Sequence, residues 1–435
     1  MNRIFTRKLV RFALALGCAI APALAHAQID AADAADAVDS GDTAFVLCLA
    51  LLALAMLLPG IILHHGARLG ARAFAALATE TVGIAAVVSL LWVLVGYTLA
   101  FGTVGSGWLG GGNAWMLLDL ANVREGSAVP EMAFVALQLA YAVLAAGLLT
   151  GAWAERGNLA WVLPFAGLWI LIVYAPLAHW IWGGGWLAAR LGTVDAAGAL
   201  VVHASAGISA LVITLLMGRR ARFGAQPDAV ATSGTAPGLA LAGTGMMWIA
   251  LLALSAAATL AASDDAATTL INGLVAAASG ALVWLLIAAV TTGKANPRAL
   301  SAGAMAGLVA ASAGMGAFAP GAAMLAGLIG ALVAWVAARM IRAAAIDDAA
   351  DLVAVHGVAG LAGAMLAAPL IAGTLGGTGY AAGMGPVRQV LAQALGAGVV
   401  VAWSAIGTAI AALMVAMVVP MRINEADEID EPDFD

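Results

Sequence analysis

Residues 195–211, DAAGALVVHASAGISAL, set a histidine inside an apolar segment of small residues, and residues 351–365, DLVAVHGVAGLAGAM, do so again. The two copies share Val-His with a glycine four residues on: Val202, His203 and Gly207; Val355, His356 and Gly360. On a helix, positions i, i+4 and i+7 share a face. Each histidine is therefore expected on a small-residue strip, Gly207 and Ala210 in one copy, Gly360 and Gly363 in the other. Such strips let helices pack closely in lipid.

The surrounding chain is apolar enough to need lipid. Of 435 residues, 64% are hydrophobic and 10% charged, with a mean hydropathy of +1.02, which places the protein in the polytopic membrane class. Net charge is -6, much of it in the C-terminal tail. With neither a basic patch nor interleaved aromatics, no nucleic-acid partner is expected. Cys18 and Cys48 are the only cysteines. The first lies in a segment expected to be removed, so no internal disulfide framework is expected.

Residues 1–27 carry Arg3, Arg7, Lys8 and Arg11, then an apolar run, then Ala25-His26-Ala27, the layout of a cleaved signal peptide. The mature chain would start at Gln28 outside the inner (plasma) membrane, with residues 28–42 as an extracytoplasmic lead-in. Runs long enough to cross about 30 Å of hydrocarbon recur at 43–65, 74–101, 129–153, 159–181, 196–218, 236–260, 267–291, 299–318, 321–343, 351–373 and 388–418. The sequence thus predicts an all-α membrane protein with eleven spans, transmembrane domain 43–418 and an acidic cytoplasmic tail 419–435. An odd count puts the C-terminus inside. Eleven basic residues fall on the predicted inner side, among them Arg68, Arg156, Arg219, Arg220, Arg222 and Arg422, against Arg124, Arg190 and Arg388 outside. That asymmetry agrees with the orientation.

The histidine segments are the fifth and tenth spans. Each ends a five-span half, 43–218 and 236–373, and an odd number of spans per half makes the repeat inverted, with the eleventh span 388–418 outside it. His203 and His356 are then expected to meet near the bilayer midplane. A charged imidazole is costly there, so the rings should be largely neutral, each offering one donor and one acceptor nitrogen to a small polar molecule. A structural hydrogen bond between helices is the alternative.

Beyond this pair, the chain resembles the Amt/Rh family of ammonium transporters along nearly its whole mature length. The resemblance rests on GYTLAFG (96–102), GAWAER (151–156), YAPLAHWIWGGGWL (174–187), Asp195 with VVH (201–203), and VHGVAGLAG (355–363). It implies a homotrimer with one pore per subunit, and ammonium or ammonia as substrate. By position, His203 and His356 match the pore histidines, Trp182 the aromatic residue of an outer recruitment site, and Asp195 the acidic residue below it. Tyr141, after Gln138, falls at an outer aromatic gate and adds a hydroxyl. An indole holds a cation by about 0.5–2 kcal/mol. Read without the family, Trp182 is equally an interfacial anchor, Asp195 a helix cap, and Tyr141 a packing residue. A PII-type signalling protein is the implied partner on the cytoplasmic face, although the tail is short.

The chain departs from the family in the sixth span. Where a run like WFGFNAGS is usual, it has LLALSAAA at 251–258, so Leu254 replaces an aromatic and Ala258 a serine. At the end of the first span, His64 and His65 replace an aromatic pair, as solvated interface residues or as a proton-accepting vestibule. Glu80 stands where an amide is common, and is expected to face a polar inner vestibule. Transport is the leading reading. An ammonium sensor with little transport is the alternative, favoured by the lost cage residues. A redox or metal enzyme is disfavoured because neither Cys nor carboxylate accompanies the pore pair, and no cofactor is expected.

Overall fold

Hydrocarbon offers no hydrogen-bond partners, so an apolar run inside it must satisfy its own backbone, which a helix does. The computed structural model describes residues 38–424 and 428, apart from 68, 106, 113, 222 and 224–235. The expected signal peptide, most of the lead-in, Arg68, Arg222 and most of the acidic tail lie outside the described residues.

The apolar runs fold as α1 (Ser40–Gly66), α2 (Ala71–Phe101), α3 (Glu131–Trp153), α4 (Leu159–Ala189), α5 (Ala199–Met217), α6 (Ala236–Ala257), α7 (Asp264–Thr292), α8 (Pro297–Ala311), α9 (Pro320–Ala343), α10 (Val353–Leu370) and α11 (Pro386–Ala416). Strands β1 (Thr103–Val104) and β2 (Gly110–Gly111) pair antiparallel in the loop after α2. Among the described residues ten helices are long and apolar enough to span a bilayer, not eleven. The difference is α8, whose 15 residues reach only about 22 Å at 1.5 Å each. The rest of the run 299–318 continues as turns. Helix α1 begins three residues before the expected span, because Asp39 caps it by accepting from the Asp42 N–H.

The first helices of the two repeats, α1 and α6, pack along each other, and α7 and α8 do the same. Helix α3 is buried almost throughout, whereas α7, α9 and α11 leave leucines and valines exposed on their outer faces, among them Leu282, Leu286, Leu328 and Leu391. Those exposed side chains are the surface a lipid phase would cover. Odd-numbered helices end, and even-numbered ones begin, on the face that also carries residues 417–424. We call it the C-terminal face.

One local expectation is corrected. Both histidines lie in π turns rather than regular α-helix: Ala199–Ala204 holds His203, and Val353–Val358 holds His356. The wider turn changes which small residues meet. A Cβ on Gly207 would stand 2.2 Å from the Gly357 backbone, and one on Gly360 would stand 2.5 Å from the Ala199 carbonyl. The small residues therefore bring α5 and α10 to backbone contact, as the sequence suggests, but Gly357 takes part alongside the expected glycines.

Candidate functional site

The π turn in α5 is built from its capping carboxylate. Asp195 accepts from the N–H groups of Gly198 (3.0 Å), Leu200 (2.9 Å) and Val201 (2.9 Å). These are donors a helix N-terminus leaves unpaired. Gly198, at φ +96°, makes the turn, and its carbonyl accepts from both Val202 and His203. Ser205 returns its hydroxyl to the Val201 carbonyl at 2.6 Å. Asp195 thus caps the turn, and its backbone carbonyl accepts from Trp182 Nε1 at 2.6 Å.

The second copy repeats the device at the opposite face. Asp348 accepts from the N–H groups of Leu352 (2.8 Å) and Val353 (2.9 Å). The quoted second copy, which begins at Asp351, passes over this residue. The signal is the spacing: Asp195 precedes His203 by eight residues, and Asp348 precedes His356 by eight. Burial pushes the Asp195 carboxyl up to about 6 against the pull of its backbone donors. Burial, joined by the Asp351 charge, pushes Asp348 up to about 7.

Between these caps the two imidazoles meet. His203 Nδ1 lies 3.1 Å from His356 Nδ1, with ring centroids 5.1 Å apart and planes at 34°. Both rings are buried, at 1% and 2% exposure. Two Nδ1 atoms at this distance share one hydrogen, so one ring is the Nδ1–H tautomer and its partner the Nε2–H tautomer. The pair therefore keeps one donor and one acceptor Nε2 for a third molecule.

Toward the opposite face, the Tyr141 and Trp182 rings lie 5.2 Å apart at 55°. The Tyr141 hydroxyl and Gln138 Oε1 are buried without a hydrogen-bond partner. Leu254 is fully buried in α6, and Ala258 sits in the turn that follows it. The structure brings Tyr141 and Trp182 together; neither Leu254 nor Ala258 adds a π-face or a lone pair.

On the C-terminal face, His64 and His65 close α1, with rings 5.5 Å apart. Glu80 is buried and accepts from Trp153 Nε1 at 3.0 Å, on the wall of a cavity of about 420 Å³ that also includes Arg72, Glu155 and Asn158. Nearby, Asp347 joins Arg156 (2.7 Å) and Arg220 (2.9 Å), and Arg220 reaches Glu155 (2.7 Å). Burial works against the Asp347 charge, but its bonds to Arg220 and the neighbouring Arg156 hold the carboxyl below its ordinary range.

The start of the tail docks here, and its described acidic residue, Glu428, lies on the loop after α5. Asn158 N–H donates to the Met421 carbonyl at 3.1 Å, and Ile423 N–H to the Arg156 carbonyl at 3.0 Å. Glu428 pairs with Arg422 of the same segment and accepts from the Ala221 N–H. Arg219 and Arg220 are engaged elsewhere, by the Ala345 carbonyl and by Asp347 and Glu155.

The Ammonium Transporter Family profile matches residues 44–435. An ammonium transporter of Aquifex aeolicus is 33% identical over 392 residues, covering 89% of this chain and 90% of its own. One from Bacillus subtilis is 32% identical over 379 residues, covering 86% and 91%. Among solved structures, a sensor Amt protein superposes with a TM-score of 0.81 at 26% identity, covering 89% of this chain and 96% of its own. Candida albicans Mep2 gives 0.79 at 28%, covering 91% and 88%. Fold, length and motif order agree, and the chain belongs to the ammonium transporter family.

Proposed function

We propose that the protein carries ammonium across a bacterial inner membrane through a pore in each subunit, lined by His203 and His356. The observation that carries this reading is the 3.1 Å contact between two buried imidazoles on oppositely directed helices. An ammonium ion is recruited at Trp182 and Tyr141, where aromatic faces attract a cation. It loses its proton before entering, because a bare ion in an apolar bore has no compensating partners. Ammonia is then handed past the histidine pair, whose paired nitrogens present one donor and one acceptor.

The rest of the reading follows the family: eleven crossings with α8 as the short eighth, the C-terminus in the cytoplasm, a homotrimer, and a PII-type protein as partner for the C-terminal face. Deleting residues 424–435 and measuring transport and partner binding tests the last point. A variant unchanged in both rejects a regulatory tail.

A second reading, an ammonium sensor with little transport, draws on Leu254 and Ala258, which add neither a further aromatic face nor a serine hydroxyl to Tyr141 and Trp182. Ammonium-driven flux in proteoliposomes separates the two. Transport predicts saturable uptake; binding without flux selects the sensor.

A further inference from the structure

Four of the six histidines of this chain converge, and the transport reading uses two. His64 and His65 end α1, in the turn where the helix dipole favours a positive charge. His64 Nδ1 lies 2.8 Å from Thr244 Oγ1, and His65 Nδ1 lies 3.0 Å from Thr150 Oγ1. Each hydroxyl also donates to a carbonyl of its own helix, Thr244 to Ala240 at 2.9 Å and Thr150 to Gly147 at 2.8 Å. A hydroxyl has one hydrogen and a carbonyl has none, so all four contacts coexist only if both imidazoles donate through Nδ1–H. Both rings are thereby held in one tautomer, with Nε2 as the basic nitrogen.

The rings line a cavity of about 40 Å³, together with Ser301, Val355, Arg298 and Asp351. A water needs about 10–15 Å³ of such space, so the cavity admits water or ammonia and little more. Ser301, 4% exposed, lines it with a hydroxyl that has no hydrogen-bond partner. Val355, the residue before His356, lines the same cavity. The other charges at the cavity are Arg298 and Asp351, which pair at 2.6 Å, with Arg342 on the second Asp351 oxygen at 3.2 Å. Helix α6 brings the Thr244 hydroxyl to His64, and α3 brings the Thr150 hydroxyl to His65.

We propose that His64 and His65 form a second, inner histidine pair that exchanges protons between solvent on the C-terminal face and ammonia leaving His203 and His356. This rests on the transport reading. A ring takes a proton from solvent at Nε2 and gives it from the same nitrogen to ammonia; imidazolium and ammonia become imidazole and ammonium. The ring is then reprotonated by solvent. No electrons move, and the solvent proton is the only co-reactant.

The test uses the full chain in proteoliposomes of one orientation. Ammonium-driven current and internal pH are recorded while the pH on the C-terminal face is lowered in steps from about one unit above to about two units below the ordinary histidine value near 6.5. His64→Gln with His65→Gln keeps an N–H for each threonine but cannot titrate; His64→Gln alone, at the half-buried position, is the milder variant. The wild type is expected to show flux that follows pH on that face. The double variant should lose this dependence and at least fivefold of its rate, with the single variant intermediate. Wild-type rate and pH profile in a folded Gln variant overturn the inner pair, as does wild-type flux indifferent to pH on that face. Absence of ammonium flux in the wild type overturns the transport reading itself.

Discussion

Single residues decide where the chain keeps and where it leaves the pattern of its family. His203, His356, Trp182 and Asp195 each sit in a motif whose neighbours are also present. Asp348 is less legible: its motif is a spacing of eight residues, with no shared neighbours to mark it. The sequence leaves Asp195 open as a cap or a charge, and in the structure its carboxylate accepts three backbone N–H groups at the start of α5. The outer site yields a prediction at this scale. Leu254→Phe with Ala258→Ser restores a π-face and a hydroxyl, which together contribute about 2–4 kcal/mol to holding a cation. Leu254 is fully buried, so fitting a ring costs about 1–3 kcal/mol in repacking. The half-saturating ammonium concentration in a flux assay should fall by about tenfold, since that needs only about 1.4 kcal/mol net. No fall in a folded variant means that recruitment is not limiting. A second prediction concerns Arg156, whose side chain is 0% exposed. Asp347→Asn leaves that charge buried without its partner, a loss of about 3–5 kcal/mol. The thermal midpoint in detergent should drop markedly; an unchanged midpoint rejects the pair as a structural tie.

Among the elements, the apolar runs match the helix bounds to within three residues except at the ends of α4 and α8, because backbone satisfaction in hydrocarbon favours helix. Two features stayed hidden. The π turn of α5 is held by Asp195, Gly198 and Ser205 and that of α10 by Asp348, and periodicity counted on an α-helix cannot register the extra residue. The brevity of α8 depends on where turns begin after Ala311, which an unbroken apolar run does not mark. The α5–α10 crossing gives the third prediction. Gly207→Val places side-chain atoms where even a Cβ would stand 2.2 Å from Gly357. Separating the helices breaks the 3.1 Å imidazole contact and costs about 1–3 kcal/mol or more. A lower thermal midpoint with lost flux is expected. Gly238→Ala, on a glycine with open space around it, should leave both unchanged.

Across the whole molecule, the inverted repeat puts a carboxylate-capped π turn at each end of one histidine contact, and sets the basic, tail-bearing face apart from the aromatic one. The docking of the tail is a whole-molecule property, because residues 421–423 lie against 156–158 and Arg156 shares Asp347 with Arg220. Its dependence on pH has a definite sign. The Asp347 carboxyl is held below its ordinary value, so its stabilisation is complete above the unfolded value near 3.9 and is lost as pH falls through the lower folded value. Protease cleavage of the tail should be constant from pH 7 to about 5 and rise only below about 4. A rise already between pH 7 and 6 would assign the docking to a different group.

The most direct measurement is ammonium-driven flux through proteoliposomes containing the wild type or the variant His203→Ala with His356→Ala, at matched reconstitution and with folding checked by thermal midpoint. Removing both rings leaves a polar solute without partners in an apolar passage, at about 1–3 kcal/mol for each lost bond. The wild type should conduct, and the double variant should lose at least tenfold in rate or change its proton coupling. A folded double variant that conducts at the wild-type rate with unchanged coupling would make the imidazole pair structural and contradict the account.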